Sequence, residues 1–318
     1  MQLLMFAFAG LAAQLVDGAL GMAFGVTATT MLILSGMAPA YASAAVHFAE
    51  VGTTLFSGLA HWRLNNVHWP TVIFLGIPGA VGAFAGATVL SGLSAESAEP
   101  VVSLLLLLLG GYVLVRSVLV PWGRSSAGST EDTPPAGNGR RSRVGLVALG
   151  LGGGFLDASG GGGWGPVTTS TLMSVGRSQP RKIIGTVNTA EFLVAVSASA
   201  GFIVGLEAVH DSWQPVLGLL IGGVIAAPIA AWVVTKIRPD ILGGLVGALL
   251  VLLNGLRVSA SMGWIGVAIA ATVAALCITV VLRSLGRTRR AAAVVEPAPT
   301  DADDDPDHPR VVIRTDTL

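Results

Sequence analysis

The sequence predicts an all-α polytopic membrane protein built from two inverted repeats. Hydrophobic residues make up 53% of the 318-residue chain and charged residues only 11%, against about 25% charged residues in a typical soluble domain. The apolar residues form long blocks separated by short charged loops, as in membrane-spanning helices. A motif near the N-terminus also returns about 140 residues later. Each predicted repeat is a glycine-broken re-entrant hairpin followed by three transmembrane helices, with one extra helix at the C-terminal end.

The apolar blocks divide the chain into five parts. We predict a first transmembrane repeat (1–120), a cytoplasmic linker (121–143), a second transmembrane repeat (144–260), an extra transmembrane helix (261–284) and a disordered cytoplasmic tail (285–318). The linker is rich in Pro, Gly and Ser and the tail carries the acidic run DADDDPD, so neither can bury enough apolar surface to fold. Within the repeats, spanning helices are predicted at 40–61, 70–92, 100–119, 182–206, 213–235 and 240–257.

The first block of each repeat predicts a re-entrant hairpin rather than one spanning helix. These blocks, 2–35 and 144–176, each hold about 33 residues, whereas crossing a hydrocarbon core of roughly 30 Å takes about 20. Glycines interrupt both blocks, and the pieces on either side, such as 144–156 and 166–176, look too short to span alone. Residues 1–16 have no basic region and no small-residue cleavage site, so we expect them to belong to the first hairpin rather than to a signal peptide.

Basic residues predict the orientation of the chain, because Arg and Lys collect in cytoplasmic loops. The arginines at 140–143 and the basic loop at 177–182 flank the second hairpin block, and they share the cytoplasmic side only if that block is re-entrant. The acidic loop at 206–212 then lies outside. The second helices of the two repeats would run in opposite directions, which makes the halves inverted repeats, a recurrent design of secondary transporters.

The repeated motif predicts an anion site where the two hairpins meet. LVDGALGMAFGVTATTM (15–31) and FLDASGGGGWGPVTTST (155–171) share D-x-x-x-G-x-x-[FW]-G followed by hydroxyl residues. A half-helix that starts after each break offers free backbone N–H groups and the positive end of its dipole. The expected substrate-binding residues are Gly25, Thr27, Thr29, Thr30, Gly165, Thr168, Thr169 and Ser170. The alternative is that the glycines serve helix packing and the hydroxyls satisfy nearby carbonyl groups.

Ionisable side chains also occupy equivalent places in the two repeats. They are costly inside a membrane, so they suggest function by default. We expect a proton-coupling or site-organising role for Asp17, His47, Glu50, Asp157, Asn188 and Glu191. The alternatives are that the aspartates cap the half-helices and that the glutamates tie helices together. Asn188 stands where the first repeat has His47, and only His titrates near physiological pH, so the first repeat is the one expected to handle a proton.

With these residues, the sequence resembles the sulfite exporter TauE/SafE family of membrane permeases. The resemblance covers roughly residues 4–260. It rests on the paired hairpins, on Gly36-x-x-Pro39 and Gly176-x-x-x-Pro180, on HFAE and NTAE, and on IPGAVGAFAGA (77–87) and GGVIAAPIAAW (222–232). The resemblance implies transport of sulfite, sulfonates or related organosulfur and carboxylate anions across the bacterial plasma membrane.

Several functions remain open from the residues. The best-supported function is a secondary anion carrier, proton-coupled or not. A uniporter or channel is physically possible, because an inside-negative membrane potential already drives anions out of the cell, at about 2.3 kcal/mol per charge per 100 mV. A transition-metal transporter, with His47, Glu50 and Asp17 as ligands, is less well supported. The chain has no cysteine cluster and no His-rich tract, and the second repeat lacks the histidine. No enzyme motif is found. We expect a small-molecule anion and the lipid bilayer as partners, no nucleic acid, no cofactor and no resident metal, and we leave a homo-oligomer open.

Overall fold

The computed structural model describes residues 2–20, 22–119, 139–175, 178–206, 213–234 and 239–293. Within these ranges the chain is helical and contains no strand, which confirms the predicted all-α class. A π-helical turn, Gly165–Thr169, leads directly into α7. The helices are α1 Gln2–Leu20, α2 Phe24–Leu34, α3 Pro39–Arg63, α4 Trp69–Ser91, α5 Ala95–Leu119, α6 Arg140–Gly160, α7 Ser170–Val175, α8 Pro180–Gly205, α9 Trp213–Val234 and α10 Pro239–Ala293.

Four segments among the described helices are long and apolar enough to cross a membrane. They are Trp69–Ser91, Ala95–Leu119, Arg181–Gly205 and Gly243–Arg283, with a mean hydropathy between 1.6 and 2.6. Shorter apolar helices lie at Gln2–Asp17, Phe24–Leu34 and Trp213–Ala226. The polytopic membrane architecture expected from composition is therefore confirmed.

The element α10 is a pair of antiparallel helices joined at Gly263. This residue has φ 57° and ψ −137°, which interrupts the helix. Beyond it the chain returns along itself, because a Cβ atom at Gly255 would lie 3.5 Å from the Cβ atom of Ala270. The two predicted blocks, 240–257 and 261–283, are thus two helices. The second continues to Ala293, so the expectation of disorder from residue 285 was wrong for 285–293, where arginine and alanine favour helix. Residues 121–138 and 294–318 lie outside the described residues.

The first helix of the second repeat is longer than predicted. α6 begins at Arg140, inside the range assigned to the linker, and has 21 residues, a length of about 32 Å. The expectation of a short piece at 144–156 was therefore wrong. The glycine run stays helical because it packs closely on another helix: a Cβ atom at Gly150 would collide with the carbonyl oxygen of Leu75, and one at Gly154 with that of Gly79.

The helix breaks lie at equivalent places in the two repeats. α6 ends at Gly160 and is followed by Gly161 and Gly162, whose φ angles of 73° and 146° are left-handed conformations that glycine adopts easily. In the first repeat the break precedes Phe24, and Ala23 has φ 135°. Each break is followed by a half-helix: α2 in the first repeat, and the π-helical turn with α7 in the second.

The helices of the two repeats pack crosswise. α1 lies along α9, and α6 lies along α4, so the first helix of each repeat packs against a later helix of the other. α3 packs against α8, and α5 against α10. Glycines allow the α1–α9 and α4–α6 pairs to pack closely. A Cβ atom at Gly222 of α9 would collide with the carbonyl oxygen of Ala7 in α1, and a Cβ atom at Gly82 of α4 would collide with the carbonyl oxygen of Leu151 in α6. This reciprocity is what a two-fold relation between the repeats produces, while the opposite orientation of the repeats across the membrane stays a prediction.

Candidate functional site

The tips of the two broken helices touch each other. The Thr29 hydroxyl of α2 donates to the carbonyl oxygen of Gly161 in the other break. A Cβ atom at Gly162 would collide with the backbone nitrogen of Val26. The motif copies that repeat in the sequence are therefore neighbours in space.

A small cavity of about 80 Å³ lies beside this contact. Its lining comes from both breaks and from α3 and α8. A volume of this size suits a small ion with a few waters rather than a long organic molecule. The lining residues are Gln14, Asp17, Met22, Ala23, Phe24, Gly25, Glu50, Thr53, Thr54, Ser57, Asp157, Gly162, Gly165, Pro166, Asn188 and Glu191.

The two aspartates that precede the breaks bond the start of the following segment. The carboxylate of Asp17 accepts from the backbone N–H of Phe24 at 3.3 Å. Asp157 Oδ1 accepts from the N–H groups of Gly163 at 2.7 Å and Trp164 at 2.9 Å. In both repeats one of these bonds reaches seven residues ahead, which matches the capping role weighed for the aspartates.

His47 links α3 to the second break through Asp157. The ring Nδ1 lies 2.8 Å from the carbonyl oxygen of Ser43, which can only accept, so Nδ1 carries a hydrogen. The Nε2 atom lies 3.1 Å from Asp157 Oδ2. In a neutral ring with its hydrogen on Nδ1, the Nε2 atom is an acceptor, and an ionised carboxylate is an acceptor as well. A hydrogen bond between these two atoms therefore needs a proton on one of them. The pair thus forms a hydrogen bond between the two repeats.

Glu50 lies one helical turn after His47, with its Oε2 atom 4.0 Å from His47 Nε2. The side chain is buried, and Oε2 has no hydrogen-bond partner among the described residues. Its counterpart in the second repeat, Glu191, lines the same cavity. Asn188, the counterpart of His47, donates instead to the Ser57 hydroxyl at 3.0 Å. The six predicted proton-coupling or organising residues therefore all lie at or beside one cavity.

The ligand atoms of His47, Glu50 and Asp157 lie within 4.8 Å of one another. One imidazole nitrogen and two carboxylate oxygens are ligands that divalent transition metals accept. His47 is also oriented by a backbone carbonyl through its other nitrogen, as metal-binding histidines commonly are. The sequence-based expectation of no metal rested on the missing cysteine and histidine clusters. The alternative metal site combined His47 and Glu50 with Asp17, whereas the structure groups them with Asp157, 110 residues after His47.

The predicted substrate-binding residues divide into two groups. Gly25 and Gly165 line the cavity, whereas the hydroxyl residues do not. Several hydroxyls bond backbone carbonyls: Thr29 bonds Gly161, Thr30 bonds Val26 at 2.8 Å, and Thr168 bonds Trp164 at 2.5 Å. Thr27 and Thr169 are buried, and their hydroxyl oxygens have no hydrogen-bond partner among the described residues. Direct binding of substrate by these hydroxyls stays a prediction.

Sequence reasoning missed Arg116 and Met22. Arg116 Nη1 bonds the Ser170 hydroxyl and lies 3.0 Å from the Met22 sulfur, while Nη2 lies 3.1 Å from the Met173 sulfur. Met22 is also part of the cavity lining. A single arginine near the end of an apolar helix looks like an interfacial anchor in a sequence, and its place inside the block 100–119 was the one available signal.

Comparison with known proteins gives a consistent result. The family model described as "Sulfite exporter TauE/SafE" matches residues 6–256. The chain is also 49% identical over 253 residues to the "Probable membrane transporter protein YtnM" of Bacillus subtilis (strain 168), a match that covers 80% of this chain and 81% of that protein. No solved structure matches the chain.

Proposed function

Because the chain belongs to the sulfite exporter TauE/SafE family of membrane transporters, we propose that it is a proton-coupled secondary transporter for a small sulfur-containing or carboxylate anion, such as sulfite or a sulfonate. The transported anion crosses the plasma membrane. One observation carries the proposal: two half-helix starts and four carboxyl groups line a single small cavity.

The half-helix starts supply the attraction for an anion. Ala23, Phe24 and Gly25 begin α2 at the cavity, and Gly165 and Pro166 begin the π-helical turn on its other side. Asp17 already accepts from the N–H group of Phe24, and Asp157 from those of Gly163 and Trp164. The attraction therefore comes from the remaining N–H groups of the first turns and from the positive potential that the helix dipole adds there. Two such ends aimed at one cavity favour an oxyanion without needing a fixed cation.

The carboxyl groups supply the argument for proton coupling. The described residues that line the cavity include Asp17, Glu50, Asp157 and Glu191, and neither lysine nor arginine. An anion that entered among four ionised carboxylates would meet strong repulsion at low dielectric. Protons on these groups remove the repulsion, and the His47–Asp157 bond already needs one. Anion and proton would therefore bind together.

We also propose that the two repeats face opposite sides of the membrane. The linker and the C-terminal tail are then cytoplasmic, as the basic residues beside them indicate. Each broken helix would open its half-helix toward the other across the membrane centre, as in transporters with inverted repeats. The contact between the two tips supports this placement.

The test is flux into proteoliposomes that contain the purified protein. Sulfite, sulfoacetate, taurine and small carboxylates are offered with and without a pH gradient, to wild type, Glu50→Gln and Glu191→Gln. We expect at least one anion to move faster with the gradient, and both variants to lose that acceleration. Ser197→Ala is the matched control, since it removes a hydrogen bond between α8 and α4, to the Ala80 carbonyl at 2.7 Å, away from the cavity. If no anion moves under any gradient, the transporter proposal for these substrates fails.

A divalent-cation transporter is the second candidate, and the His47, Glu50 and Asp157 grouping is what favours it. Thermal unfolding of the purified protein with zinc, manganese, cobalt or nickel separates the two. If a metal stabilises the wild type but not Glu50→Gln, and the protein also transports that cation, the substrate is a divalent metal rather than an anion. A third outcome, anion flux driven by voltage and indifferent to the pH gradient, would favour a uniporter or channel.

A further inference from the structure

The geometry points to a second anion-binding position beside the central cavity, formed by Arg116 and Ser170 and closed by the side chain of Met22. Its ligand would be an oxyanion with a sulfonate, sulfite or carboxylate group. The inference rests on the proposed function as an anion transporter and adds to it a position where the anion is held by a guanidinium.

The partners of Arg116 are weak acceptors. Its described partners are the Ser170 hydroxyl, the side chain of Tyr112 one turn earlier in α5, and two thioether sulfurs, those of Met22 at 3.0 Å and Met173 at 3.1 Å. None of these contacts involves a carboxylate. Thioether sulfur accepts hydrogen bonds poorly, whereas a guanidinium pairs strongly with the two oxygens of a carboxylate or sulfonate. An oxyanion would thus exchange weak contacts for charge-assisted ones.

The sulfur of Met22 lies where an anion oxygen would be held. It accepts from Arg116 Nη1 at 3.0 Å and from the Ser170 hydroxyl at 3.5 Å. Two donors from different elements, α5 and α7, therefore converge on one acceptor atom. Replacing that sulfur by an oxygen of an anion would use both donors and add a charge opposite to that of the guanidinium.

Met22 separates this pair from the central cavity. It belongs to the break before α2, lines the cavity on one side and contacts Arg116 on the other. Methionine has three rotatable side-chain bonds and repacks easily. A rotation of this side chain would open a direct path from the cavity to Arg116. The Met22 side chain would then act as a gate between two anion positions.

The equivalent place in the other repeat shows that linking helices does not require a charge. Thr30 lies 140 residues before Ser170 in the repeated motif. Its hydroxyl accepts from the Asn254 amide of α10 at 3.2 Å, while the Ser170 hydroxyl accepts from Arg116 of α5. A neutral amide makes this crosswise link in one repeat and a cation in the other. Packing alone therefore does not explain the positive charge of Arg116, whereas binding of a transported anion does.

The first arm of the test is transport of sulfoacetate by proteoliposomes containing wild type, Arg116→Gln or Arg116→Lys. We expect Arg116→Gln to raise KM at least about tenfold with a smaller change in kcat, which corresponds to losing about 1.4 kcal/mol of anion binding. Arg116→Lys, which keeps the charge but not the fork of donors, should fall between. Arg257→Gln is the matched control, since this arginine lies on α10 with its Nη2 atom 3.4 Å from Glu99 Oε1. A wild-type KM in Arg116→Gln overturns the inference.

The second arm does not depend on transport. Met22→Cys is made in a Cys277→Ser background and modified with an anionic and a cationic methanethiosulfonate reagent. We expect the ratio of anionic to cationic modification rates to fall about tenfold when Arg116→Gln is added, and sulfoacetate to slow the anionic reagent only when Arg116 is present. An unchanged ratio overturns the inference. A changed ratio in a protein that transports no anion would keep this position and defeat the proposed function instead.

Discussion

The backbones of Gly25 and Gly162 lie against each other where the two broken helices meet. A Cβ atom at Gly25 would lie 2.6 Å from the Cα atom of Gly162 and 3.2 Å from Glu50 Oε1. Gly162 also has φ 146°, a conformation that other residues rarely adopt. The contact between the tips, and the position of Glu50 beside it, therefore depend on the absence of side chains at both glycines.

A methyl group at this contact should disrupt the cavity. We expect Gly25→Ala to destabilise the protein by about 1–3 kcal/mol, because the close-packed backbone of Gly162 must shift, and to reduce anion flux strongly. Gly152→Ala is the matched control, because nothing lies within 4 Å of its Cβ position in α6, and alanine favours helix by about 1 kcal/mol over glycine. Thermal unfolding in detergent and proteoliposome flux measure both effects. Equal stability and flux in the two variants would contradict the importance of the contact.

The repeat made much of this arrangement predictable. Because Asp17 and Gly25 return as Asp157 and Gly165, the sequence indicated two broken helices with equivalent starts, and the structure places both starts at one cavity. Helix boundaries were less predictable. The glycines of α6 looked like breaks, yet they remain helical because α4 packs closely against them, and that packing depends on residues far away in sequence.

Contacts without a counterpart in the other repeat could not be predicted. His47 reaches Asp157 across the two repeats, but the equivalent Asn188 bonds Ser57, so comparison of the repeats gave no hint of the pair. The role of Arg116 was hidden for a similar reason. Its partner Ser170 was expected to face the substrate, and nothing in the spacing of residues joins α5 to the second half-helix.

The cap made by Asp157 should contribute more to stability than the one made by Asp17. Asp157→Ala leaves the N–H groups of Gly163 and Trp164 without an acceptor, and we expect a loss of about 2 kcal/mol or more. Asp17→Ala removes a longer bond to the backbone N–H of Phe24, at 3.3 Å, and an interaction with the backbone of Ala23, and should cost about 1 kcal/mol or less. Asp157→Asn keeps an accepting oxygen, so it should remain close to wild type. Midpoints of thermal unfolding in detergent should follow this order. A lower midpoint for Asp17→Ala than for Asp157→Ala would show that the second break is held by other contacts.

The re-entrant course of the second hairpin predicts labelling from one side. Single cysteines replace Gly139, before α6, and Arg181, early in α8, in a Cys277→Ser background. Both positions are exposed. We expect a membrane-impermeant maleimide to modify both from the cytoplasmic side. A cysteine at Ser94, which is exposed between α4 and α5, should react from the other side and serves as the control. Modification of positions 139 and 181 from opposite sides would mean that the segment spans the membrane.

The proton shared by His47 and Asp157 should couple anion flux to the pH gradient. His47→Asn places in the first repeat the amide already present at Asn188 and removes the titratable ring. Asp157→Asn keeps the hydrogen bond, because its amide N–H can donate to Nε2 of a neutral ring, but it removes the shared proton. We expect both variants to transport under an imposed voltage and to lose the acceleration by a pH gradient, as measured in proteoliposomes with potassium and valinomycin to set the potential.

The control for this prediction is Ser197→Ala, which should keep the acceleration. The comparison of the two asparagine variants separates chemistry from architecture, since Asp157→Asn preserves the caps of the second break while His47→Asn leaves Asp157 unchanged. A common loss in both then identifies the proton rather than the fold as the cause. Gradient-driven flux like that of wild type in either variant would contradict the role of this pair. The proton would then travel with another group of the cavity, such as Glu50, whose Oε2 atom lies 4.0 Å from His47 Nε2 and whose Gln variant is part of the flux test above.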